Sequence, residues 1–211
     1  MRTTVHVMRH GEVHNPTKIL YGRLPGFRLS TLGEQMAERG AEYFAERDVT
    51  HVVASPLERA QQTATPIAVR RGVELATDIN LIEADNVFEG ERVSVGDGVL
   101  RKPATWPHLW NPFRPSWGEP YVEIAARMRV AIDNARVAAY GHEAVCVSHQ
   151  LPIWVARLDA EGRRFVHDPR RRQCNLASVT SFVFEEDQLV AVTYAEPAAD
   201  LVVQSHRGVG A

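Results

Sequence analysis

The amino-acid sequence predicts an α/β fold in three layers, a sandwich with a mainly parallel central sheet, helices on both faces and an antiparallel C-terminal edge. Short apolar runs alternate with segments in which apolar residues recur every three or four positions, as in amphipathic helices. Near the C-terminus, the alternating runs 178–184 and 189–194 flank four polar residues and predict a hairpin. Because 211 residues suffice for one large core, we expect a single domain over 1–211.

The first strand passes through Val7 and Met8 and runs directly into Arg9-His10-Gly11. Ligands of an open α/β sheet bind beyond the carboxyl ends of its strands, so we expect Arg9 and His10 to project into a site. Gly11 has no Cβ and would let backbone N–H groups approach a ligand closely. For the triplet alone, a glycine turn beside an incidental Arg and His is an equal alternative.

An irregular loop over 15–26 follows, punctuated by Pro and Gly. It is too long for a simple turn, and long ordered loops beside strand ends often line sites. Ser30 then predicts the N-cap of a helix to about residue 47, because Leu32, Met36 and Gly40 recur at helical spacing. We expect that helix face to pack on the sheet.

A second strand is predicted over 49–54, followed by a helix over 56–70 with Ser55 as its N-cap and Pro56 at its first position. Arg59 then lies in the first turn of that helix. Helix N-termini carry partial positive charge and unpaired N–H groups, so an arginine there would join an anion site. A surface cation is the alternative, although a first-turn arginine opposes the helix dipole.

A brief third strand over 73–75 precedes a segment over 78–83 whose apolar residues end in the carboxylate of Glu83. The region 84–120 then loses its periodicity and contains three tryptophans and five prolines. We expect an insertion over the site, either a substrate lid or a cover for apolar surface that also lines part of the pocket. Its plausible specificity residues are Arg92, Arg101, Lys102, Trp106, His108, Trp110, Arg114 and Trp117.

The second half of the chain repeats the opening design. Helical spacing over 121–139 precedes a continuous apolar strand over 143–148, which delivers His149 at its end. An apolar helix follows over 151–158, and it tolerates Pro152 because that residue stands near its start. A second histidine therefore lies at a strand-to-helix junction.

The composition limits the partners that this chain can have. A formal net charge of -2 gives no global attraction to nucleic acid or acidic membranes. The clusters Arg163-Arg164 and Arg170-Arg171-Arg172 are predicted to be solvated surface, and they lack the interleaved aromatic residues that nucleic-acid binding would need. We expect no nucleic-acid partner and no membrane association, while a homo-oligomer is compatible with the sequence.

The location in the cell is predicted from the N-terminus and the cysteines. The first predicted strand begins close to Met1 and leaves no room for a signal peptide, and no apolar run approaches the ~18 residues that a spanning helix needs. Cys146 and Cys174 make neither a disulfide framework nor a metal or redox motif. We therefore expect a cytoplasmic protein.

Three strand-to-helix junctions would bring Arg9, His10, Arg59 and His149 to one edge of the sheet, with Glu83 nearby. Arginine forks bind phosphate oxygens, and an imidazole can attack phosphorus and hold it covalently, so this set suits phosphoryl transfer. Zinc bound by His10, His149 and Glu83 is the main alternative. Two adjacent guanidiniums would oppose a cation, however, and no HExxH-type spacing is present, so we expect no metal and no cofactor.

These residues resemble the motifs of the histidine phosphatase superfamily, also called phosphoglycerate mutase-like. The resemblance covers about residues 1–195 and implies the fold of that family. Five motifs in the family's order carry it: Met8-Arg9-His10-Gly11-Glu12, Leu29-Ser30 followed by Gly33, Ser55-Pro56-Leu57-x-Arg59-Ala60-x-Gln62-Thr63-Ala64, Leu81-x-Glu83 and Val147-Ser148-His149.

The resemblance implies a role for each matching residue. His10 looks like the nucleophile that becomes phosphohistidine, and Arg9, Arg59 and His149 look like the phosphate pocket. Glu83 resembles the general acid that protonates the leaving oxygen and later activates water. Burial beside apolar neighbours would raise its proton affinity for that work.

Three further residues are candidates for substrate binding. Asn15 stands one position closer to the nucleophilic histidine than the usual asparagine of the family. Tyr21 and Gly22 lie where the family often lines its pocket. The sequence also departs from the family after the second histidine, where Gln150 replaces the small residue that is common there.

The chain is nearer to the compact phosphatase branch than to the mutases, which typically carry longer insertions after the acid. We expect a metal-independent phosphatase that hydrolyses a phosphomonoester of a small phosphorylated substrate through a phosphohistidine intermediate. A phosphoglycerate mutase-type phosphomutase is the second hypothesis. An inactive family member that acts as a binding module is the third, and the retention of every charged catalytic candidate argues against it.

Overall fold

The computed structural model describes residues 1–94, 97–98 and 118–205. Its strands are β1 Arg2–Arg9, β2 Val49–Ala54, β3 Leu75–Thr77, β4 Val93–Ser94, β5 Asp97–Gly98, β6 Glu143–Ser148, β7 Val179–Glu185 and β8 Gln188–Ala195. Its α-helices are α1 Thr31–Phe44, α2 Glu58–Arg71, α3 Tyr121–Ala138, α4 Gln150–Ala160 and α5 Ala199–Val202, with 3₁₀ turns at Ile79–Leu81 and Pro169–Arg171.

Six strands form one sheet in the order β3-β2-β6-β1-β7-β8. The strands β3, β2, β6 and β1 are parallel, whereas β7 pairs antiparallel with β1, and β8 antiparallel with β7. The C-terminal hairpin therefore supplies the antiparallel edge that the sequence predicts. Only β8 lies at that edge, because β7 is paired on both sides.

Helices cover both faces of the sheet. Helices α1 and α2 pack with Met8, Val145 and Val147 on one face, and α3 and α4 pack with Val7 and Cys146 on the other. Neighbouring residues of one strand appear in opposite layers because successive side chains of a strand point to opposite sides. The three-layer α/β prediction is confirmed.

The start of α1 agrees with the sequence, since Ser30 is its N-cap and the Ser30 hydroxyl accepts a hydrogen bond from the Gly33 N–H at 3.0 Å. The prediction that Ser55 caps α2 is wrong. Leu57 stands at that N-cap without a side-chain hydrogen bond, and the Ser55 hydroxyl lies 2.8 Å from a ring nitrogen of His149. Ser55 directly follows β2, and its hydroxyl therefore contacts His149, which directly follows the neighbouring strand β6.

The third strand lies two residues later than predicted. Gly72 ends α2 in the left-handed conformation, with a φ of 66°, and the Val73 N–H donates to the Ala68 carbonyl at 3.1 Å. This bonding satisfies the last carbonyls of the helix and makes Val73 part of its C-terminal cap. Strand β3 consequently begins at Leu75.

Most of the predicted insertion over 84–120 lies outside the described residues, and so do the specificity candidates Arg101, Lys102, Trp106, His108, Trp110, Arg114 and Trp117. Its two described ends meet, because Asn86 and Gly118 form an isolated antiparallel bridge. Residues 89–91 hold the loop before α1, where the Leu20 N–H donates to the Glu91 carbonyl at 2.9 Å.

The strand order determines where the site residues meet. Strand β6 lies between β1 and β2, so the carboxyl ends of these three parallel strands are neighbours. The His10 N–H donates to the Ser148 carbonyl at 3.1 Å, and the Ser55 N–H donates to the Val147 carbonyl at 2.9 Å. Across the described part of the chain, no helix is long and apolar enough to span a membrane.

Candidate active site

His10 follows the last residue of β1 and is fully buried. Its Nδ1 lies 2.7 Å from the Gly11 carbonyl oxygen, which can only accept, so Nδ1 carries the proton. The other ring nitrogen, Nε2, is buried and has no hydrogen-bond partner among the described residues. The hydrogen bond to Gly11 thus fixes the tautomer in which Nε2 has a free lone pair.

Burial lowers the pKa of His10 well below its ordinary value, and the positive charges of Arg59 and Arg9 lower it further. The hydrogen bond to Gly11 acts in the opposite direction. His10 is therefore neutral near pH 7, the state in which an imidazole is a nucleophile.

Two arginines lie beside His10. Arg9 donates from Nη1 to the Cys174 carbonyl at 2.9 Å, and Arg59 donates from Nη2 to the Gly22 carbonyl at 2.6 Å. Arg59 is the second residue of α2 and is almost completely buried, while its Nε has no hydrogen-bond partner among the described residues. Since an unpaired buried guanidinium donor is costly, the site is suited to an anion.

His149 is the N-cap of α4, and its ring centroid lies 5.1 Å from that of His10. Its Nε2 is 2.8 Å from the Ser55 hydroxyl, whereas its Nδ1 is buried without a partner among the described residues. If the Ser55 hydroxyl donates this hydrogen bond, Nδ1 carries the proton and is a donor for an anion. Burial lowers the pKa of His149 well below its ordinary value, with the charge of Arg59 next in effect.

Glu83 follows the 3₁₀ turn and is buried. One carboxylate oxygen accepts a hydrogen bond from the Ala84 N–H at 2.8 Å, and the other, Oε2, has no partner among the described residues. Burial raises the pKa of Glu83, while the Ala84 hydrogen bond and the charges of Arg59, Arg9 and Arg172 oppose that shift. A carboxyl group with a raised pKa can hold a proton for a leaving group.

A second arginine pair positions the segment that carries Glu83. Arg127 donates to the Ile82 carbonyl at 2.7 Å and also forms two hydrogen bonds with the Glu119 carboxylate. Arg23 donates to the Glu83 carbonyl at 2.7 Å and to Glu119 at 2.9 Å. The Glu83 backbone is therefore held from two sides, which limits the motion of its side chain.

The structure gives Gly11 a different role from the one predicted. A Cβ at Gly11 would lie 2.5 Å from the Gly33 carbonyl oxygen, so the first turn of α1 packs directly on the backbone after β1. The Gly11 N–H donates to the Thr63 hydroxyl at 3.1 Å, and that hydroxyl donates to the Arg59 carbonyl at 2.8 Å. Gly11 thus joins β1, α1 and α2 behind the site, and its N–H is engaged by Thr63.

Tyr21 and Gly22 lie against Arg59, as expected for residues near the pocket. The Arg59 guanidinium carbon is 4.8 Å from the centroid of the buried Tyr21 ring, and the ring stacks on Phe27. Gly22 has a φ of 36°, and a Cβ there would collide with the Glu89 side chain. Both residues contact the guanidinium and fix its position.

Asn15 forms its hydrogen bonds within its own loop. Its amide nitrogen donates to the Ile19 carbonyl at 2.8 Å, and its amide oxygen accepts from the Ile19 N–H and the Thr17 hydroxyl, each at 3.3 Å. The structure therefore places Asn15 as a brace of the loop before Tyr21. Contact with a phosphate stays a prediction for this residue.

Arg172 lies near the site, although the sequence predicts it as solvated surface. It is half-buried and close enough to Glu83 and Arg9 to interact with their charges. Burial lowers its pKa, and the charges of Tyr121 and Glu83 oppose that shift. The prediction for the arginine cluster is wrong at this position, and the sequence contains no signal that separates Arg172 from the exposed Arg171.

Within residues 1–94, 97–98 and 118–205, no three His, Cys, Asp or Glu side chains are grouped in a way that could hold a metal ion. The site instead brings together the charged groups and imidazoles expected for it, namely Arg9, His10, Arg59, Glu83 and His149. Ser55, Thr63 and Arg172 join them without having been predicted there. This arrangement can bind a tetrahedral anion and present a nucleophile to it.

The comparison with known families agrees with this geometry. The chain matches the model of the histidine phosphatase superfamily (branch 1) over residues 5–197, and it belongs to that family. The uncharacterised protein Rv0525 of Mycobacterium tuberculosis is 61% identical over 197 residues, which cover 93% of this chain and 98% of the relative. A probable phosphoglycerate mutase, GpmB of Yersinia enterocolitica, is 30% identical over 155 residues, covering 71% of this chain and 70% of the relative.

Solved structures show the same fold. YhfR of Bacillus stearothermophilus superposes with a TM-score of 0.76 at 20% identity, covering 90% of this chain and 95% of that one. A mycobacterial glucosyl-3-phosphoglycerate phosphatase, Rv2419c, superposes with a TM-score of 0.73 at 22% identity, covering 92% of this chain and 97% of that one. The predicted phosphoglycerate mutase-like architecture is confirmed.

Proposed function

We propose that this protein is a phosphatase that hydrolyses a phosphomonoester through a phosphohistidine at His10. The observation that carries the proposal is the state of the His10 ring. Its Nδ1–H is bound to the Gly11 carbonyl, and its Nε2 is buried without a partner among the described residues, beside Arg9, Arg59 and His149. A neutral imidazole held in this tautomer is prepared for attack on phosphorus.

In the first half of the reaction, the lone pair of His10 Nε2 attacks the phosphorus atom. The bond between phosphorus and the ester oxygen breaks, and that oxygen takes the proton of Glu83. The raised pKa of Glu83 supports this role, because the group must be protonated when the alkoxide leaves. The alcohol departs and the phosphoryl group stays on Nε2.

In the second half, a water molecule attacks the phosphorus atom and gives its proton to the Glu83 carboxylate. The bond between phosphorus and Nε2 breaks, its electron pair returns to the ring, and inorganic phosphate leaves. His10 is again neutral and Glu83 is again protonated. The same carboxyl group thus serves as acid and then as base.

Arg9, Arg59 and the Nδ1 of His149 are the groups that bind the phosphoryl oxygens in this proposal. Two guanidiniums spread the negative charge of the transition state, which is the work that metal ions do in other phosphatases. The N-terminal ends of α2 and α4 lie at the same edge of the sheet and add partial positive charge there. The mechanism therefore needs no metal ion.

The comparisons support a phosphatase that acts on a small phosphorylated substrate. The chain belongs to a phosphatase superfamily, and one of its structural neighbours is a glucosyl-3-phosphoglycerate phosphatase. The relative GpmB is described as a probable phosphoglycerate mutase, which keeps phosphoryl transfer to a second hydroxyl as the alternative. The two activities share the phosphohistidine and differ in whether water accepts the phosphoryl group.

The test is a panel of phosphorylated metabolites and p-nitrophenyl phosphate, assayed in the presence of a chelator. We expect release of inorganic phosphate without added metal. In a rapid-quench experiment, mass spectrometry should find acid-labile phosphate on His10. Activity that a chelator abolishes and that zinc or magnesium restores would contradict the metal-free mechanism.

The same experiment separates the alternatives. A phosphomutase would hold the phosphohistidine for long periods and return the phosphoryl group to a different hydroxyl of the product. An inactive binding module would bind phosphorylated compounds without any label on His10. Label on His149 would show that the roles of the two histidines are assigned the wrong way round.

A further inference from the structure

The side chain of Arg172 carries a charge that the proposed mechanism does not use. Its Nε donates to the Nε2 of His167 at 2.8 Å, and its Nη1 donates to the amide oxygen of Gln150 at 3.4 Å. Neither partner is an anion, and the guanidinium has no carboxylate partner among the described residues. Other arginines of this region pair with acids, as Arg157 does with Glu161.

The Arg172 guanidinium is joined to the phosphate pocket through a short series of contacts. Gln150, which contacts Arg172, also donates to the Cys174 carbonyl at 3.4 Å, and Arg9 donates to the same carbonyl oxygen at 2.9 Å. Arg172 is therefore a near neighbour of an arginine at the base of the site.

His167 holds the Arg172 side chain in a defined orientation. The Nδ1 of His167 lies 2.5 Å from the Phe165 carbonyl oxygen, so Nδ1 is the protonated nitrogen and Nε2 is the acceptor for Arg172. Tyr121 and Trp154 flank the His167 ring, with centroids 6.0 and 5.8 Å away. Both nitrogens of this histidine are used, and it positions the arginine.

A partly buried guanidinium with no anionic hydrogen-bond partner is unfavourable unless a ligand supplies the charge. The Nη2 of Arg172 has no hydrogen-bond acceptor among the described residues, so both its N–H donors are available. We propose that Arg172 binds a second anionic group of the substrate, a carboxylate, while Arg9, Arg59 and His149 bind the phosphate. This inference rests on the proposed function and narrows its substrates to phosphomonoesters that carry a carboxylate.

The test uses substrates that differ only in the carboxylate. The pair 3-phosphoglycerate and glycerol 3-phosphate shares a carbon frame, and O-phosphoserine and phosphoethanolamine form a second pair. The readout is the ratio of kcat/KM values within each pair, because any effect of Arg172 on the chemistry of Glu83 acts on both members and cancels. A bisphosphate of the same frame shows whether a second phosphate can replace the carboxylate.

We expect the wild-type protein to favour the carboxylate member of a pair and the Arg172→Met variant to lower that preference about 10- to 100-fold, as loss of a charge-assisted interaction does. Arg172→Lys should restore part of the preference, and His167→Ala should lower it by a smaller factor. Arg171→Met is the matched control, since Arg171 is exposed and its substitution should leave the ratio unchanged.

The inference is overturned if Arg172→Met changes both members of each pair by the same factor, or if the bisphosphate is preferred to both. Hydrolysis of p-nitrophenyl phosphate by the wild-type protein under the same conditions would show that the proposed function survives this outcome. If no phosphomonoester is hydrolysed, calorimetric binding of 3-phosphoglycerate and glycerol 3-phosphate to wild-type protein and Arg172→Met still decides the role of the arginine.

Discussion

The two histidines of the first strand segment, His6 and His10, are both buried, yet their ring nitrogens are used in opposite ways. His6 lies 2.7 Å from the Ser181 hydroxyl through Nδ1 and 2.9 Å from the Glu143 carboxylate through Nε2. His10 has one such bond and leaves Nε2 without a partner among the described residues. The state of the hydrogen bonds, not the burial, separates a structural histidine from a reactive one.

The surroundings of the two rings explain the difference. The Glu143 carboxylate faces His6, and their hydrogen bond lowers the pKa of Glu143 while burial opposes that shift. Arg9 and Arg59 face His10 in its place, and no carboxylate hydrogen-bonds its ring within the described part of the chain. His6 therefore contributes to the stability of the fold, whereas His10 has a nitrogen that remains available for a ligand.

Replacing His10 gives the largest expected effect. His10→Ala removes the proposed nucleophile, so kcat should fall by at least about 10³-fold and no phosphohistidine should form. His149→Ala removes one donor to the phosphoryl group and should lower kcat by about 10²-fold while the label on His10 persists. Normal turnover by His10→Ala in a steady-state assay would show that the unpartnered Nε2 of His10 is not the nucleophile.

Glu83→Gln should have the next largest effect, and the effect should depend on the leaving group. An alkyl phosphate needs a proton on its departing oxygen, so kcat should fall about 10²- to 10⁴-fold, whereas p-nitrophenyl phosphate should be much less affected. Glu58→Gln is the control, because this partly exposed carboxylate pairs with Arg28 on the surface. Equal losses for both substrates would remove the general-acid role from Glu83.

Replacing His6 should change stability and leave catalysis alone. His6→Leu leaves the Ser181 hydroxyl and the Glu143 carboxylate without their partner, which should lower the free energy of unfolding by about 1–3 kcal/mol. His142→Leu removes an exposed contact with Asp48 and should cost less than about 1 kcal/mol. Urea unfolding and steady-state kinetics measure the two effects, and a loss of kcat in His6→Leu would contradict the structural role.

The sequence was sufficient to predict where His10, Arg59 and His149 meet. Each follows a predicted strand closely, and parallel strands bring their carboxyl ends to a common edge. The bond between Ser55 and His149 could not be predicted in this way, because it depends on β2 and β6 being neighbours in the sheet although 88 residues, 55–142, lie between them in the chain. Side-chain contacts between distant segments follow from the fold.

Arg172 and Gly11 are two further residues whose contacts could not be predicted from the sequence. Nothing in the run Arg170-Arg171-Arg172 indicates which guanidinium turns inward, since His167 and Gln150 select it only after the chain has folded. The sequence predicts that the missing Cβ of Gly11 lets a ligand approach the backbone. In the structure, the reason for the glycine is the backbone of Gly33, which belongs to the next helix.

The smallest expected effect is on the pH dependence of stability. Burial lowers the pKa of His10 and His149 well below their ordinary value of 6.5, so both rings stay neutral in the folded protein while the unfolded chain takes up protons. Below about pH 6.5 the unfolded state therefore binds more protons, and stability falls as the pH falls, by up to about 1.4 kcal/mol per pH unit for each histidine.

Glutamine at either position cannot take up that proton. The free energy of unfolding of His10→Gln, measured by urea titration between pH 7.5 and 5.5, should consequently decline less steeply than that of the wild-type protein. Glu83 is present in both proteins, so its opposite contribution cancels in the comparison. Parallel curves for the two proteins would mean that His10 takes up its proton equally in the folded and unfolded states, which would contradict the lowered pKa of the proposed nucleophile.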